Sequence, residues 1–114
     1  MGIRSDVGLA IKAEAWDEAP DWFRNFWLEN ADTIDENHLE EGRFFIIEDV
    51  KWYVETDEDI KKVVDYLRER PAEMYRLVEA CPEYPAQDGE EGEWSDNPWN
   101  LTLNISVSLS YETE

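Results

Sequence analysis

Leu101-Thr102-Leu103-Asn104-Ile105-Ser106-Val107-Ser108-Leu109-Ser110-Tyr111 alternates apolar and polar residues without a fault. Leu101, Leu103, Ile105, Val107, Leu109 and Tyr111 fall on one side, and the hydroxyl and amide residues between them fall on the other. Period two with small polar groups outside is the pattern of a half-buried strand in an antiparallel sheet with one solvated face. Asn97-Pro98 just before it reads as a turn. A strand with so polar an outer side is also a place where a partner could add a strand of its own.

Working outward, the next clear element is a helix over about Asp57 to Arg70. Ile60, Val63, Val64 and Leu67 stand at i, i+3, i+4 and i+7 and form one apolar stripe. Thr56 fits an N-cap with Asp59 three residues on. Acids at 57–59 suit the positive end of the dipole, and Arg68 and Arg70 suit the negative end. Pro71 stops it. A second helix is expected from about Pro20, where Trp22, Phe23, Phe26 and Trp27 recur at helical spacing. Strands are expected over Arg43 to Glu48 and Glu73 to Cys81, while the polar, acidic segment Asn30 to Gly42 includes a loop. Val7 to Trp16 alternates as a strand would, yet its alanines also suit a helix. The strand is preferred, with Asp17 to Pro20 as the turn into the helix. The order β-α-β-α-β-β predicts a single α+β domain, with about four mainly antiparallel strands and both helices packed on one face.

The chain has 114 residues, enough for one domain, and 42% of them are hydrophobic. Tryptophans at 16, 22, 27, 52, 94 and 99 supply large apolar area to a small core. No run approaches the roughly 20 apolar residues of a membrane span. Met1 to Asp6 carries neither a long apolar segment nor a cleavage site, so no signal peptide is expected. One cysteine, Cys81, can form no internal disulfide and can build no zinc site with the single His38. A reducing cytoplasm is the matching compartment. The balance of 29 acidic against 10 basic residues gives a formal net charge of -19. A field of that sign repels nucleic acid and anionic lipid, so neither is expected as a direct partner.

Acidic residues concentrate in two segments: Glu29, Asp32, Asp35, Glu36, Glu40 and Glu41, then Asp88, Glu90, Glu91, Glu93 and Asp96. As a functional surface, ordered carboxylates could imitate DNA phosphates and fill the groove of a basic enzyme, a task that needs many carboxylates along one face. As a bland surface, the same residues only keep an acidic protein solvated. Calcium is not expected at Asp88 to Asp96, because the ligand order of an EF-hand is absent. Trp94 and Trp99 flank Asp96-Asn97-Pro98 and are candidates for apolar anchors on a binding surface. Trp52 and Tyr53 read rather as closing the core. His38 reads as an exposed loop histidine, with no nucleophile or substrate group nearby to serve as a base. Cys81, between Glu79 and Glu83, lacks the electropositive setting of a reactive thiol. No phosphate-cradling glycine loop occurs. No catalytic constellation and no cofactor are therefore expected.

The opening Met1-Gly2-Ile3-Arg4-Ser5-Asp6-Val7-Gly8 resembles a group of small proteins encoded by tailed bacteriophages. So do Val50-Lys51-Trp52-Tyr53, leading into an acidic helix start, and Trp94-Ser95-Asp96-Asn97-Pro98-Trp99. The resemblance implies a phage origin and the host cytoplasm, and brings no assigned activity or functional residues. Combined with the charge, it leads to the expectation of an inhibitor of a host nucleic-acid-processing or defence protein with a basic surface. The alternative is an acidic interaction or assembly module without mimicry, with a homodimer left open.

Overall fold

A computed structural model describes residues 4–82, 89–103 and 109–110. The chain forms β1 (Ser5–Lys12), α1 (Ala13–Glu18), α2 (Asp21–Asn30), β2 (Thr33–Asp35) and β3 (Gly42–Val50). It continues through α3 (Glu58–Arg68), a 3-10 turn (Ala72–Met74), β4 (Tyr75–Ala80) and β5 (Gly89–Glu91), then β6 (Thr102–Leu103) and β7 (Leu109–Ser110). The expected α+β domain is present. Its main sheet has five strands rather than four, all antiparallel, in the order β2-β3-β1-β4-β5.

The stretch from Val7 to Trp16 holds both of its expected conformations in succession. As far as Ile11 it has partners on both sides, β3 and β4. The register with β3 ends at the pair Lys12–Gly42. Beyond it the backbone meets its own hydrogen-bonding needs by coiling, and the alanines at 13 and 15 begin α1. β1 becomes the central strand because it is apolar toward both faces: Val7, Leu9 and Ile11 on one, Ala10 on the other, all fully buried.

Both longer helices pack on the first face, as expected. Phe23 and Trp27 of α2 and the whole stripe Ile60, Val63, Val64 and Leu67 of α3 are buried against Leu9, Phe45 and Leu77. α3 is capped one residue later than expected. Asp57, not Thr56, accepts the N–H groups of Asp59 and Ile60 on Oδ1 at 3.0 and 3.1 Å.

The second face departs from expectation. It is not open to solvent: residues 94–101 cross it and bury Trp94, Trp99 and Leu101 against Ala10, Phe44, Ile46 and Val78. The approach is close enough that a Cβ on Gly8 would stand 2.9 Å from a Leu101 methyl. The run Phe44-Phe45-Ile46-Ile47, apolar at consecutive positions, is the mark of a strand covered on both sides. Only two short parts of the strand expected over 101–111 are described, and neither joins the main sheet. Thr102–Leu103 and Leu109–Ser110 pair antiparallel with each other in a separate two-stranded ladder, while residues 104–108 and Tyr111 lie outside the described residues.

β3 carries a bulge. Two steps along β1, Ser5 to Val7, oppose three along β3, Ile47 to Val50. Asp49 takes the left-handed conformation there, at φ 54°. Its N–H donates to Asp6 Oδ1 at 3.0 Å, and its carbonyl accepts from Arg4 Nη1 at 2.9 Å. The extra residue turns Val50 onto the face of Ile47, where unbroken alternation would have pointed it the other way.

Candidate functional site

The two acidic segments fall at opposite edges of the sheet. The first surrounds β2, and the second includes β5. Four strand spacings of about 4.8 Å separate the edges, roughly 19 Å. The fold therefore does not gather the segments into one row of carboxylates. Other exposed acids sit elsewhere on the surface, including Glu14, Asp17 and Glu18 on α1, Glu58 and Asp59 on α3, and Glu73.

Several of the expected site residues hold the structure together. Asp35 is buried, 6% exposed, and accepts the Trp99 indole N–H on Oδ2 at 2.8 Å and the Asn37 N–H on Oδ1 at 2.9 Å. Asp32 accepts the Glu48 N–H at 2.7 Å, which ties the start of the β2 edge to β3. Glu91 forms a two-pronged pair with Arg68 of α3 at 2.8 and 2.9 Å, and Glu90 pairs with Arg76 of β4. The Glu91 charge and hydrogen bond raise the Arg68 guanidinium above its ordinary value. Burial first, and the Glu91 charge second, push the Tyr75 phenol up. Asp88 lies outside the described residues.

Trp94 and Trp99, expected as exposed anchors, are 7% and 0% exposed. Trp99 stacks on Phe44 with centroids 5.1 Å apart, and Trp94 meets Trp99 edge to face. The physical reason is the second face of the sheet, which needed an apolar cover and took these rings. His38 is half-buried rather than exposed, its ring edge-on to Trp99 at 5.5 Å and its Nδ1 3.3 Å from Glu41. Trp52 closes the core, as expected, and the buried Cys81 thiol faces the Arg4 carbonyl at 3.4 Å.

What remains at the first edge is a surface of mixed character. Glu36, Glu40 and Glu41 are exposed there, while Glu29, also exposed, lies on the flank of α2 that faces α3. Among the described residues four large apolar side chains are exposed, and three of them, Leu28, Ile34 and Leu39, belong to the same twelve-residue stretch. Leu28 stands on the flank of α2 that carries Arg24, turned away from α3. Ile34 lies on the edge strand β2. At the other edge, Glu90, Glu93 and Asp96 are exposed, and none of the exposed large apolar side chains among the described residues belongs to β5 or to residues 92–101. Ile34 and Leu39 were missed in the sequence because each is isolated in a polar stretch, and Leu28 because it directly follows Phe26-Trp27 and reads as part of the same apolar run.

Among the described residues no three acidic, histidine or cysteine side chains come together as a metal would need, and no helix is long and apolar enough to cross a membrane. No family model matches this chain, and no curated protein and no solved structure is similar to it.

Proposed function

We propose that this chain is an acidic binding protein that acts on another protein through the surface of residues 28–41. The observation that carries the reading is that residues 28–41, around the β2 edge, hold three of the four exposed large apolar side chains among the described residues, Leu28, Ile34 and Leu39, together with exposed carboxylates at 36, 40 and 41. Apolar anchors give an interface its energy, and surrounding charge gives it steering and partner choice. The partner favoured by this chemistry has a basic surface, as the groove of a nucleic-acid-processing or defence enzyme does. A phage origin, implied by the opening and Trp-rich motifs, would make that partner a host protein in the host cytoplasm, and the effect inhibitory.

Imitation of duplex DNA in the strict sense draws less support. A mimic needs carboxylates in series along one face. Here the two segments lie at opposite edges, and Asp32, Asp35, Glu90 and Glu91 are engaged within the fold. Self-association through the β2 edge is opposed by the repulsion of two chains of net charge -19.

The test is retention of a bacterial protein from lysate on the immobilised chain, followed through a salt gradient. The parent is compared with a Leu28→Glu/Leu39→Glu variant and with a Glu93→Lys/Asp96→Lys variant at the other edge. The expected result is a basic protein released by moderate salt, lost with the first variant and kept with the second. Equal retention by both variants would refute the assignment of the surface.

A further inference from the structure

On the other flank of α2 an open cleft of about 650 Å³ runs between α2, α3 and the end of β3. Its walls are mixed: Trp22 and Phe26 from α2, Ile47 and Val50 from β3, and Ile60 and Val63 from α3 supply the apolar part, and polar and charged side chains supply about as much. Trp22 is 37% exposed, while the other five tryptophans are buried. The volume is in the range of sites for small ligands, which are mostly apolar with a few placed polar groups.

The charge of this cleft contrasts with the rest of the molecule. The chain carries ten cations against 29 acids, yet three of the ten, Arg4, Lys51 and Lys62, line this one cleft. Three carboxylates, Glu29, Asp57 and Asp59, line it as well. The balance is therefore near neutral on a molecule that is strongly negative elsewhere. One of those carboxylates is already engaged, since Asp57 caps α3. One of the cations is not: among the described residues Lys51 makes no ion pair. Lys62 holds its ammonium over the Trp22 ring, 4.3 Å from the centroid, which places a cation beside the exposed aromatic wall. The strained bulge at Asp49 is what turns Val50 into the cleft and sets Lys51 at its rim. Bulges recur where a strand end must be re-aimed beside a site.

We propose that this cleft binds a small ligand with an apolar, ring-sized body and one anionic group. The body packs on Trp22 and Phe26, and the anion sits between Lys51 and Lys62. The proposal does not rest on the 28–41 surface, whose Leu28, Ile34 and Leu39 do not line the cleft.

The probe is anilinonaphthalene sulfonate, an aromatic anion that brightens when its rings leave water, titrated against the full chain. Its counterpart is phenylnaphthylamine, which has the same ring body without the anion. Saturable binding of one sulfonate per chain is expected, with the neutral compound weaker. Lys51→Glu and Lys62→Glu should each weaken the sulfonate about tenfold, the size of a lost charge-assisted contact. Lys61→Glu makes the same change in net charge, but Lys61 pairs with Asp65 and does not line the cleft. It should leave binding unchanged. Near-ultraviolet circular dichroism confirms that each variant keeps its packed core. The proposal is overturned by any of three results: no saturable binding, equal binding of the neutral compound, or Lys61→Glu weakening the sulfonate as much as the cleft variants.

Discussion

The residues 29–41 and 88–96 are similar in composition and different in what their carboxylates do. At the β5 edge a cation waits across the ladder or on the overlying helix. Arg76 of β4 takes Glu90, and Arg68 of α3 takes Glu91. At the β2 edge Asp32 and Asp35 accept from backbone and indole N–H groups, and Glu41 lies 3.3 Å from His38 Nδ1. Glu36 and Glu40 are left in solvent, in the same stretch that exposes Ile34 and Leu39. An acidic run in a sequence therefore reports charge, while the neighbouring strand or helix decides whether that charge closes the fold or faces outward.

The largest test of this contrast concerns Asp35, the one carboxylate of the first segment buried by the fold. Trp99→Ala removes a fully buried indole and unpins residues 94–101 from the second face. A loss of about 3–5 kcal/mol in urea unfolding is expected. Trp99→Phe keeps a ring to stack on Phe44 but takes away the N–H that Asp35 accepts. It should cost about 1–3 kcal/mol, because a buried carboxylate loses a donor. If Trp99→Ala stays within about 1 kcal/mol of the parent, the cover over the second face is not what holds this edge.

At the β5 edge the effects should be smaller. Glu91→Lys sets like charges together at Arg68 and should lower stability by about 1 kcal/mol, the scale of a partly exposed ion pair. The same site gives a pH dependence. Burial, and then the Glu91 charge, raise the Tyr75 phenol, so the folded state holds that proton more tightly than the unfolded chain does. The stabilisation is complete below the ordinary tyrosine value of 10.0 and is lost as pH rises through the folded value. Tyr75→Phe should flatten the fall in stability above pH 10.0, and an unchanged slope would remove Tyr75 as its source.

Much of the fold was legible in the sequence. The stripe Ile60, Val63, Val64 and Leu67 fixed α3, and the bulky residues after Pro20 marked α2, because helical period and burial agree there. The cleanest alternation in the chain, 101–111, says that a segment is extended but not which strand it pairs with, and its described parts pair with each other rather than with the main sheet. The second apolar face was also readable, had the four-residue run Phe44 to Ile47 been taken as burial on both sides rather than as a short core strand. The candidate surface was half legible. Its charges stood out, but nothing in the sequence marked Leu28, Ile34 and Leu39 as exposed, which only the packing of the chain decides. The cleft was not legible, because it draws on Arg4, Trp22, Lys51 and Lys62 from four separate places in the chain.

The smallest stability effect should come from the exposed carboxylates of the β2 edge, and it should have the opposite sign to the effect at the β5 edge. Glu36→Lys/Glu40→Lys breaks no hydrogen bond or ion pair of those side chains among the described residues, and it lowers the net charge from -19 to -15. Self-repulsion of the compact state then falls. The unfolding midpoint should stay level or rise in low salt, and the gain should vanish in molar salt, where the Debye length is about 3 Å. Glu91→Lys also reduces the net charge, yet it should destabilise at every ionic strength, because it removes a specific pair. A loss of stability in the Glu36/Glu40 variant that persists in molar salt would mean that these carboxylates also close the fold. The two edges would then differ only in which partners they use.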